Sequence, residues 1–166
     1  MTKQLFLLIS VLSIVACQPK SNQIVAQNNR IAKVEKITKS DEEWKAELSE
    51  LEYKVLRKAG TERAFTGDLW DNKEMGTYIC RGCKLPLFVS KDKFKSGTGW
   101  PSFYQPIDEG YIEKDTDNIL GYTRTEVHCV RCGGHLGHVF NDGPEPTGLR
   151  YCINSVSLDF EPEEKN

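Results

Sequence analysis

The 166-residue chain has little excess of charge of either sign, since 22 basic residues stand against 24 acidic ones. No cluster of Lys or Arg is long enough to neutralise a row of phosphates, which argues against nucleic acid as a partner. The chain also shows no internal repeat, so a repeat architecture is not expected. With 39% hydrophobic residues, a chain of this length can bury one sizeable core, and we expect one folded domain.

The N-terminal apolar run, Leu5 to Ala16, is too short for a comfortable bilayer crossing but has the length of a signal-peptide core. It ends at Ile14-Val15-Ala16-Cys17, which resembles a bacterial lipoprotein box, where cleavage precedes a cysteine that is then lipidated. We therefore expect residues 1–16 to be a lipoprotein signal peptide and the chain to be exported and anchored through acyl chains on Cys17, facing the periplasm or the cell exterior. An uncleaved anchor and an ordinary signal peptide are the alternatives.

Residues 17–39 are predicted to form a flexible tether, because they are rich in Gln, Asn, Lys and Ser and too polar to offset the entropy of ordering. Order is expected from Ser40, which can form a capping box with Glu43. Apolar residues then recur at helical spacing, at Trp44, Leu48, Leu51 and Val55. The pattern predicts one amphipathic helix that ends near Gly60 and packs on the core, with a partner-binding helix as the alternative.

Short apolar runs broken by Gly, Pro, Asp and Asn follow this helix, which is typical of antiparallel strands. The predicted strands are Gly76 to Cys80, Leu85 to Val89, Tyr111 to Lys114, Leu120 to Cys129 and Leu149 to Phe160. We expect a mainly β domain over residues 40–161 and an acidic tail over residues 162–166.

Two C-x-x-C pairs, Cys80 with Cys83 and Cys129 with Cys132, account for four of the six cysteines. Each pair can wrap a tight turn around one edge of a metal ion, and four thiolates complete a tetrahedral zinc site. Two disulfides are the competing interpretation, which an oxidising compartment favours. Neither pair opens a helix as a redox motif would, so we expect one Zn²⁺ per chain, with a structural role because four cysteines leave no position for water.

Cys152 has no C-x-x-C partner, and on a strand it shares one face with Arg150 and Asn154. A cation beside a thiol stabilises the reactive thiolate, which indicates a nucleophile. A small buried hydrophobe is the alternative role for a lone cysteine.

A pair of histidines, His135 and His138, follows the second cysteine pair, and Asp142 comes shortly after. Imidazole titrates near neutral pH and can deliver the proton that a leaving oxygen needs when a thiol attacks an oxide. A structural hydrogen bond or zinc ligation is the alternative, and four cysteines already supply the zinc.

Four segments occur in a distinctive order around the two cysteine pairs. They are Gly97-Thr98-Gly99-Trp100-Pro101-Ser102-Phe103, His135-Leu136-Gly137-His138-Val139-Phe140, Asp142-Gly143-Pro144 and Arg150-Tyr151-Cys152-Ile153-Asn154-Ser155. Together they resemble the signature of the peptide methionine-R-sulfoxide reductases over roughly residues 42–160. The resemblance implies two small antiparallel sheets with the zinc opposite the active site. It also implies reduction of the R epimer of methionine sulfoxide in proteins or peptides, as a repair of oxidised exported proteins.

Residue by residue, the resemblance places the nucleophile on Cys152 and the zinc ligands on the four paired cysteines. Its other catalytic positions fall on His135, His138, Asn154 and Asp142, with either histidine as the proton donor and the last two orienting the histidines or bound water. Substrate contacts are expected from Trp100, whose ring would receive the sulfoxide methyl, and from Arg150 and Phe103. Asp142 also suits a simple turn.

The chain departs from this family at Thr98, where many relatives carry a second, resolving cysteine. A one-cysteine cycle is therefore expected, in which an external thiol donor such as thioredoxin attacks the Cys152 sulfenic acid. Two other classes stay open. A zinc-knuckle binding module would bury Cys152, whereas a peroxide-reducing enzyme would have no use for Trp100, because peroxide has no methyl group.

Overall fold

The computed structural model describes residues 34–118 and 121–164, which all belong to one compact unit, Ile31–Asn166. The predicted signal peptide, Cys17 and most of the predicted tether lie outside the described residues. Within the described ranges, no helix is both long enough and apolar enough to span a bilayer.

Within residues 34–118 the first elements are two helices, α1 over Asp41–Glu47 and α2 over Glu50–Lys58. The predicted capping box between Ser40 and Glu43 is confirmed at the start of α1.

The prediction of one continuous helix is wrong, because the chain turns extended at Leu48 and a second capping box joins Ser49 to Glu52. The new helix starts with a different phase, so Leu51 is 45% exposed instead of lying on the core stripe. A second Ser-x-x-Glu motif in the sequence carries the signal for this break.

Eight strands follow among the described residues, and every pairing between them is antiparallel. They are β1 (Gly76–Cys80), β2 (Pro86–Val89), β3 (Ser102–Phe103), β4 (Ile112–Asp117), β5 (Arg124–Cys129), β6 (His135–Phe140), β7 (Arg150–Ile153) and β8 (Leu158–Pro162). One sheet has the order β2-β1-β8 and the other has the order β3-β7-β6-β5-β4. The predicted mainly β fold with two small antiparallel sheets is confirmed.

Two features of the sheets differ from the prediction. Strands β3 and β6 were not anticipated, and the run predicted as one strand from Leu149 to Phe160 is divided by a 3₁₀ turn at Ser155–Ser157. The turn lets the chain leave the five-stranded sheet at the end of β7 and enter the three-stranded sheet as β8. The sheet change explains why one apolar run makes two strands.

An aromatic cluster at the centre of the core joins the two sheets. Phe88 of β2 stacks on Phe103 of β3 with ring centroids 4.4 Å apart, and Tyr78 of β1 meets Phe103 edge-on at 4.9 Å. Tyr151 of β7 completes the cluster, and all four rings are fully buried. This core fixes β7, and therefore the residues on its other face, against both sheets.

Candidate active site

Strand β7 places Cys152 on the face of the sheet opposite the aromatic core. Tyr151 and Ile153 are buried, whereas Arg150 and Cys152 are partly exposed, so the period-2 alternation predicted for this segment is observed. Cys152 lies directly opposite His138 of β6 and Ser102 of β3 in the strand register. The sheet therefore sets the thiol beside a histidine without requiring either to lie on a loop.

A pocket of about 110 Å³ opens above this pair. Its lining residues are Thr61, Trp100, Arg124, Gly137, His138, Phe140, Cys152 and Asn154. The structure thus brings together four of the side chains that the sequence singled out, namely Trp100, His138, Cys152 and Asn154. Thr61, Arg124, Gly137 and Phe140 were not anticipated as pocket residues.

The protonation of Cys152 is governed by burial more than by charge. Burial raises the pKa of the Cys152 thiol above its ordinary value, while Thr98 and the Arg150 guanidinium act to lower it. The Thr98 hydroxyl oxygen lies 3.8 Å from the Cys152 sulfur. Arg150 therefore acts in the predicted direction, but the desolvation effect is larger, and the thiol form is favoured at neutral pH.

Arg150 is held from two sides. Its guanidinium lies 4.5 Å from the centre of the Phe140 ring, and it donates two hydrogen bonds to the Asp142 carboxylate, at 2.9 and 2.8 Å. This pairing lowers the pKa of Asp142 and raises that of Arg150. The Asp142 carboxylate thus binds Arg150, whereas we expected Asp142 to orient a histidine or bound water.

His138 is paired with Asp117, a residue that the sequence did not single out. The His138 Nε2 and Asp117 Oδ2 atoms are 2.8 Å apart, and both side chains are mostly buried. Asp117 also forms an ion pair with Arg124, which lies opposite it in the register between β4 and β5. One carboxylate therefore connects two of the residues that line the pocket.

His135, the other predicted proton donor, is not among the residues that line the pocket. Its ring is almost completely buried, with Nδ1 hydrogen-bonded to the Glu126 carboxylate, and it packs edge-on against His138 with centroids 5.6 Å apart. Burial lowers the pKa of His135 to about 4. Of the two histidines, His138 is the one positioned to give a proton to a molecule in the pocket.

Phe103, predicted to contact substrate, belongs to the core cluster instead. Strand β3 is only two residues long and alternates like any strand, so Ser102 pairs with Cys152 while Phe103 pairs with Tyr151 on the opposite face. Phe103 is fully buried against Phe88 and Tyr78, and it does not line the pocket.

Asn154 and Trp100 are both held by Glu62, which lies in the loop before β1. The Asn154 side chain accepts a hydrogen bond from the Glu62 backbone at 3.0 Å, and the Trp100 indole donates to the Glu62 carbonyl at 3.3 Å. The buried Glu62 carboxylate accepts from the backbone N–H groups of Ser155 and Val156. No local pattern identifies Glu62, since its partners lie 38 residues away at Trp100 and more than 90 residues away at Asn154, Ser155 and Val156.

The four paired cysteines form one cluster at the ends of β1 and β5. The Sγ atoms of Cys80 and Cys132 are 3.7 Å apart, those of Cys83 and Cys129 are 3.5 Å apart, and all four lie within 4.8 Å of one another. A tetrahedral zinc site with Zn–S bonds of about 2.3 Å has edges of about 3.8 Å, whereas a disulfide needs about 2.05 Å. The geometry fits a metal ion bound by four thiolates and does not fit two disulfides.

The sequence was compared with known protein families and proteins. The SelR domain family matches residues 48–162. The chain is 58% identical over 127 residues to the peptide methionine sulfoxide reductase MsrB of Leptospira interrogans, an alignment that covers 76% of this chain and 97% of that protein. It is 56% identical over 126 residues to MsrB of Thiobacillus denitrificans, covering 76% and 96% of the two chains. MsrB of Acinetobacter baylyi is 54% identical over 131 residues, covering 79% and 94%.

Proposed function

The chain belongs to the MsrB family of peptide methionine sulfoxide reductases, and we propose that it reduces the R epimer of methionine sulfoxide in polypeptides through a sulfenic acid on Cys152. Its relatives are named peptide methionine sulfoxide reductases, and reduction of methionine sulfoxide is therefore the expected activity. The observation that supports the finer proposal is the pocket in which Cys152, Trp100 and the Asp117-paired His138 face one another.

In the proposed reaction, the Cys152 thiolate attacks the sulfoxide sulfur while His138 gives a proton to the oxygen. The sulfur–oxygen bond of the substrate and the sulfur–sulfur bond formed by the attack then break as the hydroxyl passes to the Cys152 sulfur, which leaves a Cys152 sulfenic acid and a reduced methionine. The substrate sulfur gains two electrons and the Cys152 sulfur loses two, so the step balances without another reactant. The Asp117 carboxylate orients the imidazole through its contact with Nε2.

The choice of epimer follows from two fixed contacts. Trp100 offers an apolar ring surface to the sulfoxide methyl, and His138 offers a proton donor to the oxygen. When the sulfoxide methyl and the sulfoxide oxygen each have only one binding position, the sulfur of only one epimer faces Cys152. The Glu62 contacts fix the Trp100 ring, so the loop before β1 contributes to this selection.

Regeneration of the Cys152 thiol from the sulfenic acid requires another thiol from outside the described residues. The other four described cysteines form the metal-binding cluster, and Thr98 stands beside Cys152 where a resolving cysteine is expected. A thioredoxin-like donor first condenses with the sulfenic acid, releasing water and forming a mixed disulfide. Its second thiol then displaces Cys152, which returns to the thiol.

The metal that suits the cluster is one structural Zn²⁺, whose four thiolate ligands would be Cys80, Cys83, Cys129 and Cys132. These ligands come from the ends of β1 and β5, which belong to different sheets. When bound, the ion would connect the two sheets and add its binding energy to folding.

Export and membrane anchoring rest on the N-terminal sequence alone. The lipoprotein box at Ile14-Val15-Ala16-Cys17 leads us to propose a lipidated enzyme that repairs oxidised proteins outside the cytoplasm. Mass spectrometry of the N-terminal peptide checks this proposal, because a diacylglyceryl group on Cys17 is expected, and an unmodified N-terminal Met1 would refute it.

The test of the function is reduction of each epimer of a blocked methionine sulfoxide with excess dithiothreitol. The wild-type protein is expected to convert only the R epimer, and Cys152→Ser is expected to convert neither. Thr98→Ser is the matched control, since it keeps the hydroxyl beside the thiol. Failure of both epimers with a folded, metal-bound protein would contradict the proposal.

A further inference from the structure

A second concave surface adjoins the reaction pocket. This groove has a volume of about 580 Å³ and is formed by the segment 65–75, the segment 90–96 and the loop 97–100. Trp100 lines both the groove and the pocket that contains Cys152. The two depressions therefore adjoin each other at the Trp100 side chain.

Large apolar side chains in this groove face solvent. Phe65 is 56% exposed and Met75 is 55% exposed, and the Phe65 ring meets the partly buried Trp70 edge-on at 5.3 Å. Exposed apolar groups gathered in a concave surface are typical of a binding site, whereas single exposed ones carry no such meaning.

The backbone at Phe65 also departs from the usual range. Its φ is 66°, in the left-handed region that residues with a side chain seldom adopt, and its N–H donates to the Gly99 carbonyl at 2.9 Å. Strain of this kind persists where it positions a functional group. Here it fixes the Phe65 ring over the loop that carries Trp100.

Size distinguishes the roles of the two depressions. The pocket of about 110 Å³ at Cys152 is below the roughly 300–1,000 Å³ of ordinary ligand sites, so it holds one side chain and no more. A methionine sulfoxide within a polypeptide brings neighbouring residues that must lie on the adjacent surface. The groove is of the right size, and it begins at the ring that we assign to the sulfoxide methyl.

We propose that the groove binds the polypeptide segment flanking the oxidised methionine and selects apolar neighbours, which would lie against Phe65, Trp70 and Met75. This inference rests on the function proposed above. Oxidation makes an apolar core residue polar and disrupts packing, so the segments that it exposes carry apolar neighbours.

The charges of the groove lining nearly balance. Asp71 and Glu74 line the groove together with Lys73 and Lys95, two residues of each sign. The remaining cation, Lys93, donates from Nζ to the backbone carbonyls of Trp70 and Asn72, so it holds the wall of the groove. We therefore expect selection by apolar contact, because the lining carries at most one net positive charge, that of Lys93, and its Nζ is already hydrogen-bonded to two carbonyls.

The experiment compares kcat/KM for two ten-residue peptides that differ only beside the methionine-R-sulfoxide, where one carries Leu and Val and the other carries Ser. A blocked single residue, too short to reach the groove, is the reference substrate. The wild-type enzyme is expected to prefer the apolar peptide about ten-fold, the equivalent of burying part of two apolar side chains. Met75→Ser and Phe65→Ser are each expected to reduce that preference about three-fold or more.

Leu51→Ser is the matched control, since Leu51 is similarly exposed but lies on α2, outside the groove. It is expected to keep the wild-type preference. Equal kcat/KM for the two peptides with the wild-type enzyme, or an unchanged preference in both groove variants, would overturn the inference.

A binding measurement separates this proposal from the proposed function. Fluorescence anisotropy of the labelled peptides with Cys152→Ser requires no turnover, and tighter binding of the apolar peptide, weakened by adding Met75→Ser, is expected. If the blocked residue is not reduced, the proposed function fails while the anisotropy still decides the groove. Equal affinity for both peptides would overturn the groove proposal alone.

Discussion

Asp117→Asn gives the most direct test of how the pocket delivers its proton. The amide has the shape of the carboxylate, so the hairpin of β4 and β5 is expected to stay folded. The substitution removes the negative charge that lies 2.8 Å from the His138 Nε2 atom and orients the ring for proton transfer. The predicted defect is therefore in proton transfer and not in substrate binding.

The burial of the His138–Asp117 pair determines how large the loss in rate should be. The side chains of His138 and Asp117 are 12% and 5% exposed, so solvent screens their interaction only weakly. A hydrogen bond to a charged group contributes about 1.5–3 kcal/mol net, which corresponds to a loss of about 10- to 150-fold in rate. We expect the rate constant to fall within this range and KM to change little.

A single-turnover assay without reductant isolates the step, because recycling of the sulfenic acid does not contribute. Methionine formed from one equivalent of R-sulfoxide peptide is followed by quenched-flow chromatography at neutral pH. Asp115→Asn is the matched control, since Asp115 is an exposed neighbour on β4. A folded Asp117→Asn protein within two-fold of the wild-type rate, or an equal loss in the control, would refute this role of the pair.

Four further predictions concern other parts of the site. Thr98→Cys is expected to form an internal disulfide with Cys152 after one turnover, seen as a loss of two hydrogens by intact-mass spectrometry; no loss would show that the 3.8 Å approach is not productive. Alkylation of Cys152 by iodoacetamide is expected to accelerate steeply above pH 8, because burial raises the pKa of the thiol. In Arg150→Gln the alkylation is expected to slow about three- to ten-fold, because removing the cation raises that pKa further. Cys129→Ser is expected to lose the metal and to lower Tm by about 10 °C or more, measured by elemental analysis and calorimetry. Gly137→Ala is expected to destabilise the fold by about 3 kcal/mol or more in urea titration, since an added Cβ would lie 2.1 Å from the Cys152 carbonyl oxygen. A loss of stability below about 1 kcal/mol would show that β6 can shift to make room for the methyl group.

The sequence predicted those parts of the site that depend on short-range patterns. The alternation of Arg150, Tyr151, Cys152 and Ile153 between two environments needs only the period of a strand, and it is observed. The spacing within each cysteine pair likewise indicates a metal-binding turn, and the four sulfurs do converge. In both cases the information lies within a few residues of the chain.

The residues that sequence analysis missed act across long separations. Asp117 is one acidic residue among several in its segment until strand pairing places it opposite Arg124 and beside His138. Glu62 acquires its role only when the loop before β1 meets the residues that follow β7. No local pattern separates these carboxylates from solvated ones, since their burial is a product of the whole fold.

Strand β5 shows why the metal and the chemistry are separate in this fold. Arg124 at its first position lines the reaction pocket, and Cys129 at its last position belongs to the cysteine cluster. Five steps of about 3.4 Å place these ends about 17 Å apart, too far for a metal ion in the cluster to contact a substrate oxygen. Both ends pair with β4, and the residues between them pair with β6, so displacement of one end shifts the register that sets Arg124 against Asp117. Metal loss should therefore reduce activity by loosening the sheet, in proportion to the loss of folded protein, and not by removing a reacting group.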